Sequence, residues 1–254
     1  MPVTDRPPNV ALSFSQQRLW FLDQLEQGSA HYNMPAALRV TGHFDVALAQ
    51  QAFARIIARH EPLRTVFASA GEEPWQVIRE QVDFALAETD LRQLAGVQQE
   101  QAVQEAAAAD AATPFDLASD VMLRVRFLRL GSDAGVLLFN MHHIASDGWS
   151  MGVLVKEFAA QYAALAGGAP DPLPPLAIRY ADYAQWQREW LSGAVLDEQL
   201  DYWQRQLADL PPVHGLPLDH ARPAQASYAG ARHVVTSSVA TQQGLRRLAQ
   251  REQA

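Results

Sequence analysis

The feature that most constrains the fold is the stretch VLLFNMHHIASDGWS, residues 136–150. Its first six residues form a continuous apolar run, which predicts a strand buried on both faces of a sheet. After the two histidines and the Asp-Gly pair, apolar residues recur at helical spacing: Met151, Leu154, Val155, Phe158, Tyr162 and Leu165. A buried strand, a tight turn and an amphipathic helix are therefore predicted in direct succession.

The chain before this stretch predicts a mixture of helices and short strands. ALSFSQQRLWFLDQLEQGS is typical of a helix with Ser13 or Ser15 as its N-cap, and Asp45 is placed to cap a second helix. Strands are predicted at AALRVTG, LRTVF, EEPWQVI and MLRVRFLRL. This pattern indicates an α/β fold with a mixed sheet and flanking helices.

A Pro- and Gly-rich stretch, GGAPDPLPPLA at 167–177, predicts an extended connection between two lobes. We place the first lobe, which carries the histidine pair, at 10–175. Aromatic-rich helices are then predicted at YADYAQWQREWL and EQLDYWQRQLADL, and a strand at HVVTSSV. The sequence ends in a helical pattern without a cap or a closing strand. We therefore expect 176–254 to be the incomplete start of a second lobe.

Composition excludes several classes of function. The 254 residues contain no cysteine, so a disulfide scaffold, a cysteine metal cage and a cysteine nucleophile are all excluded. A net charge of -8 argues against a general nucleic-acid binder. No apolar run reaches the roughly 18 residues of a membrane span, and the N-terminus lacks the pattern of a signal peptide. We expect a cytoplasmic protein that binds neither nucleic acid nor membrane.

The two adjacent histidines predict a division of roles. Successive side chains of a strand point to opposite faces, so His142 and His143 cannot serve one site together. We expect one to face the packed interior and the other a cleft at the strand end. A helix beginning near Ser146 or Asp147 directs its N-terminal amides towards that cleft. A neutral imidazole there suits a general base next to developing negative charge.

Other interpretations of the histidine pair remain open on the residues alone. Both histidines could be purely structural at a strand end. His-His-x-x-x-Asp could be part of a zinc site, but strand geometry separates the histidines and no third ligand lies nearby in the sequence. Ser146 or Ser150 could be the nucleophile of a serine triad, although neither lies in a Gly-x-Ser-x-Gly elbow. The fourth interpretation is acyl transfer with a histidine as general base.

Five blocks in order resemble one family. MHHIASDGWS is similar to the His-His-x-x-x-Asp-Gly signature of the condensation domains of nonribosomal peptide synthetases, whose core is shared with chloramphenicol acetyltransferase-like enzymes. The other blocks that resemble this family are SFSQQRLWFLDQLEQGSAHYNMP, RHEPLRTVF, TPFDL, and YADYAQWQ with LDYWQRQLADLPPVHGLPLDHARP. The resemblance covers the chain from about Ala11. It implies a chloramphenicol acetyltransferase-like fold with a complete N-terminal lobe and a partial C-terminal lobe.

The resemblance assigns the catalytic motif to four residues and a supporting structural role to a fifth, Arg64. His143 corresponds to the catalytic histidine, which deprotonates or orients the acceptor's amine, and His142 to its inward-facing structural partner. Asp147 is expected to form a charge-assisted pair with Arg64. Gly148 is expected to allow a tight turn at the helix start and to leave its amide open to a substrate oxygen. The resemblance implies no metal ligands.

Two further residues of the motif carry two interpretations each. Trp149 and Ser150 could contact substrate, which makes them weak substrate-binding predictions. They could equally serve packing and helix capping.

The function that the resemblance implies is amide-bond formation between two thioesters. Donor and acceptor arrive on the phosphopantetheine arms of upstream and downstream carrier proteins, next to an adenylation domain, so this domain itself needs no dissociable cofactor. The wording of the motifs resembles the subtype that takes an L-configured donor. The intact histidine pair excludes the cyclisation subtype, in which aspartate replaces it.

Two other functions remain open, and the activity of these 254 residues by themselves is a separate question. A domain with this motif could be a free-standing acyltransferase that uses coenzyme A or another thioester. It could also be a non-catalytic domain that docks carrier proteins. Because the second lobe is expected to be incomplete, we expect these 254 residues alone to be inactive.

Overall fold

A computed structural model of the chain describes residues 9–26, 28–71, 73–213, 215–221, 224 and 233–253. The helices are α1 (Phe14–Glu26), α2 (Val46–Arg59), α3 (Gly96–Ala112), α4 (Gly148–Ala166), α5 (Tyr180–Trp190), α6 (Gly193–Gln206) and α7 (Val239–Glu252). The strands are β1 (Val10–Ala11), β2 (Asn33–Thr41), β3 (Thr65–Ala70), β4 (Glu73–Ile78), β5 (Ala87–Asp90), β6 (Leu123–Arg129) and β7 (Ala134–His142). None of the helices in these ranges is long and apolar enough to cross a membrane.

The strands form two sheets. The larger has the order β2-β7-β6-β5, in which β7 is antiparallel to both neighbours and β5 is parallel to β6. The smaller is antiparallel with the order β1-β4-β3. Helices flank these sheets, so the predicted mixed α/β class is confirmed, as is the predicted pairing of the strands at LRTVF and EEPWQVI.

β7 is one of the two inner strands of the larger sheet, as its apolar run predicts. Every residue from 135 to 142 is buried. β7 also approaches β6 closely at Gly135, where a Cβ atom would overlap the ring of Phe127. The strand that ends in the histidines is therefore held on both edges and on both faces, which fixes the position of its last residues.

An aromatic core joins α2 and α4 to the larger sheet. Phe53 of α2 stacks on Phe158 of α4 with ring centroids 4.4 Å apart, and Phe44 stacks on Phe127 of β6 at 4.5 Å and on Tyr162 of α4 at 5.4 Å. Asp45 caps α2 as predicted, because its carboxylate accepts hydrogen bonds from the amides at positions 47 and 48. These contacts orient α4, the helix that follows the histidine pair.

α1 and α5 are joined near the start of each helix. Ser13 is the N-cap of α1, since its hydroxyl accepts from the amide of Gln16 while its own amide donates to the Gln16 side chain. That hydroxyl also lies 2.9 Å from the Tyr180 hydroxyl at the start of α5. Further along, Arg188 of α5 donates to the carbonyl of Leu12. Residues 180–190 thus pack against the beginning of the described chain.

Residues 1–209 and 210–254 form two compact units. In the second, α7 is capped by Ser238, whose hydroxyl accepts from the amide of Thr241. The strand predicted at HVVTSSV is not found: residues 233–238 pair with no strand among the described residues, and α7 begins at Val239. A β-branched run forms a strand only where another strand supplies hydrogen bonds. The predicted lobe boundary near 175 stays a prediction.

Candidate active site

His142 is the last residue of β7 and faces the interior. It is 1% exposed, and the rings of Phe115 and Tyr32 lie near it at centroid distances of 6.0 and 6.4 Å. The amide of Ile144 donates to its Nδ1 at 3.1 Å, which places the proton of the neutral ring on Nε2. Burial, and secondarily the neighbouring His143, lowers its pKa to about 4. This side chain is therefore neutral and structural at physiological pH.

His143 lies on the opposite side and is exposed. Its amide donates to the carbonyl of Tyr32, which continues the pairing of β7 with β2 by one residue. Its Nδ1 lies 2.7 Å from the carbonyl oxygen of Ser146. Because a carbonyl only accepts, Nδ1 carries the proton of the neutral ring and Nε2 keeps its lone pair. The imidazole is held in the tautomer that accepts a proton at Nε2.

The loop that supplies this carbonyl is closed by its own hydrogen bonds. The carbonyl of His142 accepts from the amide of Ala145 at 3.0 Å and from the hydroxyl of Ser146 at 3.0 Å. The Ser146 hydroxyl is therefore engaged with the backbone, and the Ser150 hydroxyl donates to Asp147 at 2.6 Å. Within the described chain neither serine is bonded to an imidazole, so the serine-triad interpretation has no geometric support.

Asp147 is the N-cap of α4 and forms a capping box with Ser150. Its carboxylate accepts from the Ser150 amide at 2.8 Å, and the Ser150 hydroxyl in turn accepts from the Asp147 amide at 3.2 Å. The hydroxyl of Ser150, then its amide, lowers the pKa of the Asp147 carboxyl, and His143 contributes a smaller electrostatic effect in the same direction. Asp147 is thus an anion beside His143, and the capping role of Ser150 is observed.

The predicted pair between Asp147 and Arg64 is not formed. The Arg64 guanidinium instead donates to the backbone carbonyls of Ala58 and Arg79. These bonds tie the end of α2 to the end of β4. The prediction of a direct pair with Asp147 is corrected on this point, and a supporting role of Arg64 in the site stays a prediction.

Gly148 and Trp149 also differ from expectation. Gly148 does not have a left-handed φ, and a Cβ at this position would meet no atom within 4 Å. A tight turn is therefore not the reason for glycine here, and an approach of substrate to its amide stays a prediction. Trp149 is 84% exposed, so it is not a packing residue within the described chain. Its predicted substrate contact remains untested.

His143, Asp147 and Ser150 line a cavity of about 650 Å³. Its other walls come from the N-terminal part of α1, the end of α2 with the short 3-10 helix Glu61–Arg64, and the segment that leads into α5. The described residues contain no group of three His, Cys, Asp or Glu side chains that could hold a metal ion. The cavity brings the His143 imidazole, the Asp147 carboxylate and a large apolar surface together.

Several cavity residues were not singled out from the sequence. Glu61, buried at 5% exposure, pairs with Arg179, which lies 118 positions later in the chain. Nε2 of His60 donates to the Glu157 carboxylate of α4 at 2.7 Å, and Arg59 pairs with the same carboxylate at 3.3 Å. The blocks RHEPLRTVF and YADYAQWQ contain or adjoin most of these residues. No local pattern reveals that they meet.

The chain is similar to proteins of peptide biosynthesis. A family model described as "Condensation domain" matches residues 8–254. One of the linear gramicidin synthase proteins of Brevibacillus parabrevis is 47% identical over 227 residues, which are 89% of this chain and 3% of that protein. Malpibaldin synthetase from Mortierella alpina is 40% identical over 253 residues, 99% of this chain and 4% of that protein. The chain thus spans only a small part of these relatives.

Solved structures show the same fold. The X-domain from teicoplanin biosynthesis superposes with a TM-score of 0.77 at 31% identity, over 88% of this chain and 48% of that chain. The first condensation domain of the CDA synthetase superposes with a TM-score of 0.70 at 22% identity, over 80% of this chain and 51% of that chain. The fold expected from the sequence is confirmed, and the chain spans about half of each solved chain.

Proposed function

The chain belongs to the condensation-domain family, and on that premise we propose that it forms amide bonds in nonribosomal peptide biosynthesis. The donor is an aminoacyl or peptidyl thioester, and the acceptor is an aminoacyl thioester with a free α-amine. The single observation that carries the proposal is the state of His143. Its Nδ1 is engaged by the Ser146 carbonyl, and its Nε2 is left as a base in a cavity large enough for an acyl group.

The proposed reaction begins when the acceptor amine attacks the donor carbonyl carbon. A C–N bond forms and the carbonyl oxygen takes the negative charge of a tetrahedral intermediate. Nε2 of His143 takes the proton that the amine loses, and the anionic carboxylate of Asp147 nearby stabilises the imidazolium. The C–S bond then breaks, and the departing sulfur receives the proton from His143. The sum of these steps is one amide and one free thiol.

The proposed partners follow from this chemistry. Both thioesters are carried on phosphopantetheine arms of upstream and downstream carrier domains, and an adjacent adenylation domain supplies the activated amino acid. The domain itself then uses no dissociable cofactor, and the reaction takes place in the cytoplasm. The resemblance of the motifs to the L-donor subtype supports an L-configured donor. We also propose that these 254 residues do not turn over alone, since they span about half of solved condensation-domain chains.

The decisive test is His143→Ala in the full-length synthetase polypeptide. Single-turnover dipeptide formation on loaded carriers should fall by about 100- to 10,000-fold, because a general acid–base group is lost. Carrier binding should be unchanged. His43→Ala is the matched control, because His43 is exposed before α2 and does not line the cavity. A His143→Ala rate within a few-fold of the parent would reject the base assignment.

One observation favours a second function, a domain that docks other proteins without catalysis. The X-domain similar to this chain also has a solved structure as a complex with OxyB from teicoplanin biosynthesis, at 31% identity and a TM-score of 0.77. For this chain, docking alone predicts carrier or enzyme binding with no dipeptide product and no effect of His143→Ala.

Coenzyme A thioesters offered in place of loaded carriers would reveal a free-standing acyltransferase.

A further inference from the structure

The acidic, basic and histidine side chains of the cavity all have a partner within the protein. These side chains are Arg59, His60, Glu61, His143, Asp147 and Arg179. Arg59 and His60 share the Glu157 carboxylate, and Arg59 also donates to the carbonyl of Pro174 at 2.6 Å. The remaining three contacts are the Glu61–Arg179 ion pair, the Asp147–Ser150 capping box and the bond from His143 to the Ser146 carbonyl.

The surface that these pairs leave for a ligand is apolar. Leu19 of α1, Ile144 of the loop, Val153 and Leu154 of α4, and Leu176 and Ile178 before α5 line the cavity. The Glu61–Arg179 and Arg59–Glu157 pairs are already neutralised, and the Asp147 carboxylate is engaged by Ser150 in the helix cap. A charged group placed on the apolar surface would therefore lose water without meeting a counter-charge there, which is unfavourable. An aliphatic or aromatic group would instead bury apolar surface, at a gain of roughly 25 cal/mol per Å².

From this arrangement we infer that the cavity selects substrate by side chain, and that it takes an aminoacyl group with an uncharged, apolar side chain. This rests on the proposed function, because His143 places the reacting thioester or amine at the same cavity. The specificity-determining surface is the apolar wall formed by Val153, Leu176 and Ile178. The ion pairs around this wall are already neutralised, and the one lining carboxylate without a cationic partner among the described residues, Asp147, is held by Ser150 at the start of α4.

The inference is tested first by varying the side chain on each carrier separately. Leucyl, phenylalanyl, lysyl and aspartyl groups are loaded in the donor and then in the acceptor position, and dipeptide formation is measured with the full-length polypeptide. At one of the two positions, leucyl and phenylalanyl should exceed lysyl and aspartyl by about tenfold or more in kcat/KM. Equal rates for charged and apolar groups at both positions would overturn the inference.

A charge placed in the wall should reverse the selection. Val153→Asp should raise the relative rate for lysyl groups, and Val153→Lys that for aspartyl groups, each by about tenfold. Val155→Asp is the matched control: Val155 lies on the same helix and is 38% exposed but does not line the cavity. If Val153→Asp does not fold, Ile178→Asp places the same charge in the same wall at a residue 54% exposed. A folded wall variant with the parent's preference would contradict the inference.

Binding of a stable probe separates this inference from the proposed function. Leucyl-, lysyl- and aspartyl-pantetheine amides are titrated into the full-length polypeptide by calorimetry, and only the leucyl probe should bind, with its binding weakened by Val153→Asp. Selective binding without any condensation would count against the proposed function and leave the cavity assignment standing. Condensation at equal rates for all side chains, with all three probes bound equally, would support the proposed function and contradict the cavity assignment.

Discussion

Two aromatic clusters in residues 9–209 have similar ring geometry and very different surroundings. In the core cluster, Phe44, Phe53, Phe158 and Tyr162 have ring centroids 4.4 to 6.5 Å apart between α2, α4 and the larger sheet. In the helical ladder, Tyr183, Trp186 and Trp190 of α5 are spaced 5.9 and 5.4 Å apart, and Tyr202 lies 5.2 Å from Trp203 on α6.

The core cluster and the helical ladder differ in solvent exposure and not in the distances between their rings. Phe53 is 1% exposed, whereas Trp203 is 53% exposed. Both residues belong to helices whose sequence pattern is amphipathic, so the periodicity alone predicts the same burial for both. Stacking adds only about 0.5–1.5 kcal/mol beyond the area that a ring buries. The core cluster should therefore stabilise the folded chain, whereas the helical ladder should mainly contribute exposed apolar surface.

The largest effect of this difference is expected at Phe53. Phe53→Ala should lower the free energy of unfolding by about 3–5 kcal/mol, because it leaves a cavity between α2 and α4. Urea denaturation followed by far-UV circular dichroism measures the change. Phe53→Leu, which keeps most of the volume, should lose much less. A loss below about 1 kcal/mol for the alanine variant would mean that the core cluster is not the covered core described above.

The next effect concerns the buried ring of His142 and depends on pH. Its pKa is about 4 when folded and near 6.5 when unfolded, so the unfolded chain binds the additional proton between these values. Stability should therefore fall as the pH drops from about 6.5 to about 4, by roughly 2–3 kcal/mol from this residue. His142→Gln should flatten that part of the curve. An unchanged slope in the glutamine variant would show that His142 is not buried and neutral.

A smaller effect is expected at the helix cap beside the cavity. Asp147→Ala should destabilise the chain by about 1 kcal/mol through loss of the cap, and Asp147→Asn should retain most of it. Because Asp147 and Arg64 have separate partners, the double variant with Arg64→Ala should equal the sum of the single variants within about 0.5 kcal/mol. A coupling free energy well above 1 kcal/mol in thermal or urea unfolding would support a direct ion pair between Asp147 and Arg64.

The smallest effect on stability is expected in the helical ladder. Trp203→Ala should change the free energy of unfolding by no more than about 0.5 kcal/mol, because the ring stays half exposed in the folded chain. Its exposed apolar surface should instead promote association, so the parent chain should bind a hydrophobic dye and elute as an oligomer. Trp203→Ala should reduce dye fluorescence. A monomeric parent without dye binding would remove the contrast between the clusters.

Much of the site was predictable because it is local in sequence. The alternation of a strand separated His142 from His143, and the spacing from Asp147 to Ser150 matches the N-cap and N3 positions of a helix. The same short-range rules identified Asp45 as a cap. They misled at HVVTSSV, where the β-branched residues have no neighbouring strand to pair with among the described residues.

The sequence by itself determined where the inner strand ends, that its two histidines face opposite ways, and where α4 begins. Only the tertiary structure decided the partners of Arg64 and the pairing of Glu61 with Arg179. The physical reason is range. Backbone period and capping act over four residues or fewer, whereas the side chains that close the cavity meet only after the chain between them has folded, 118 positions in the case of Glu61 and Arg179.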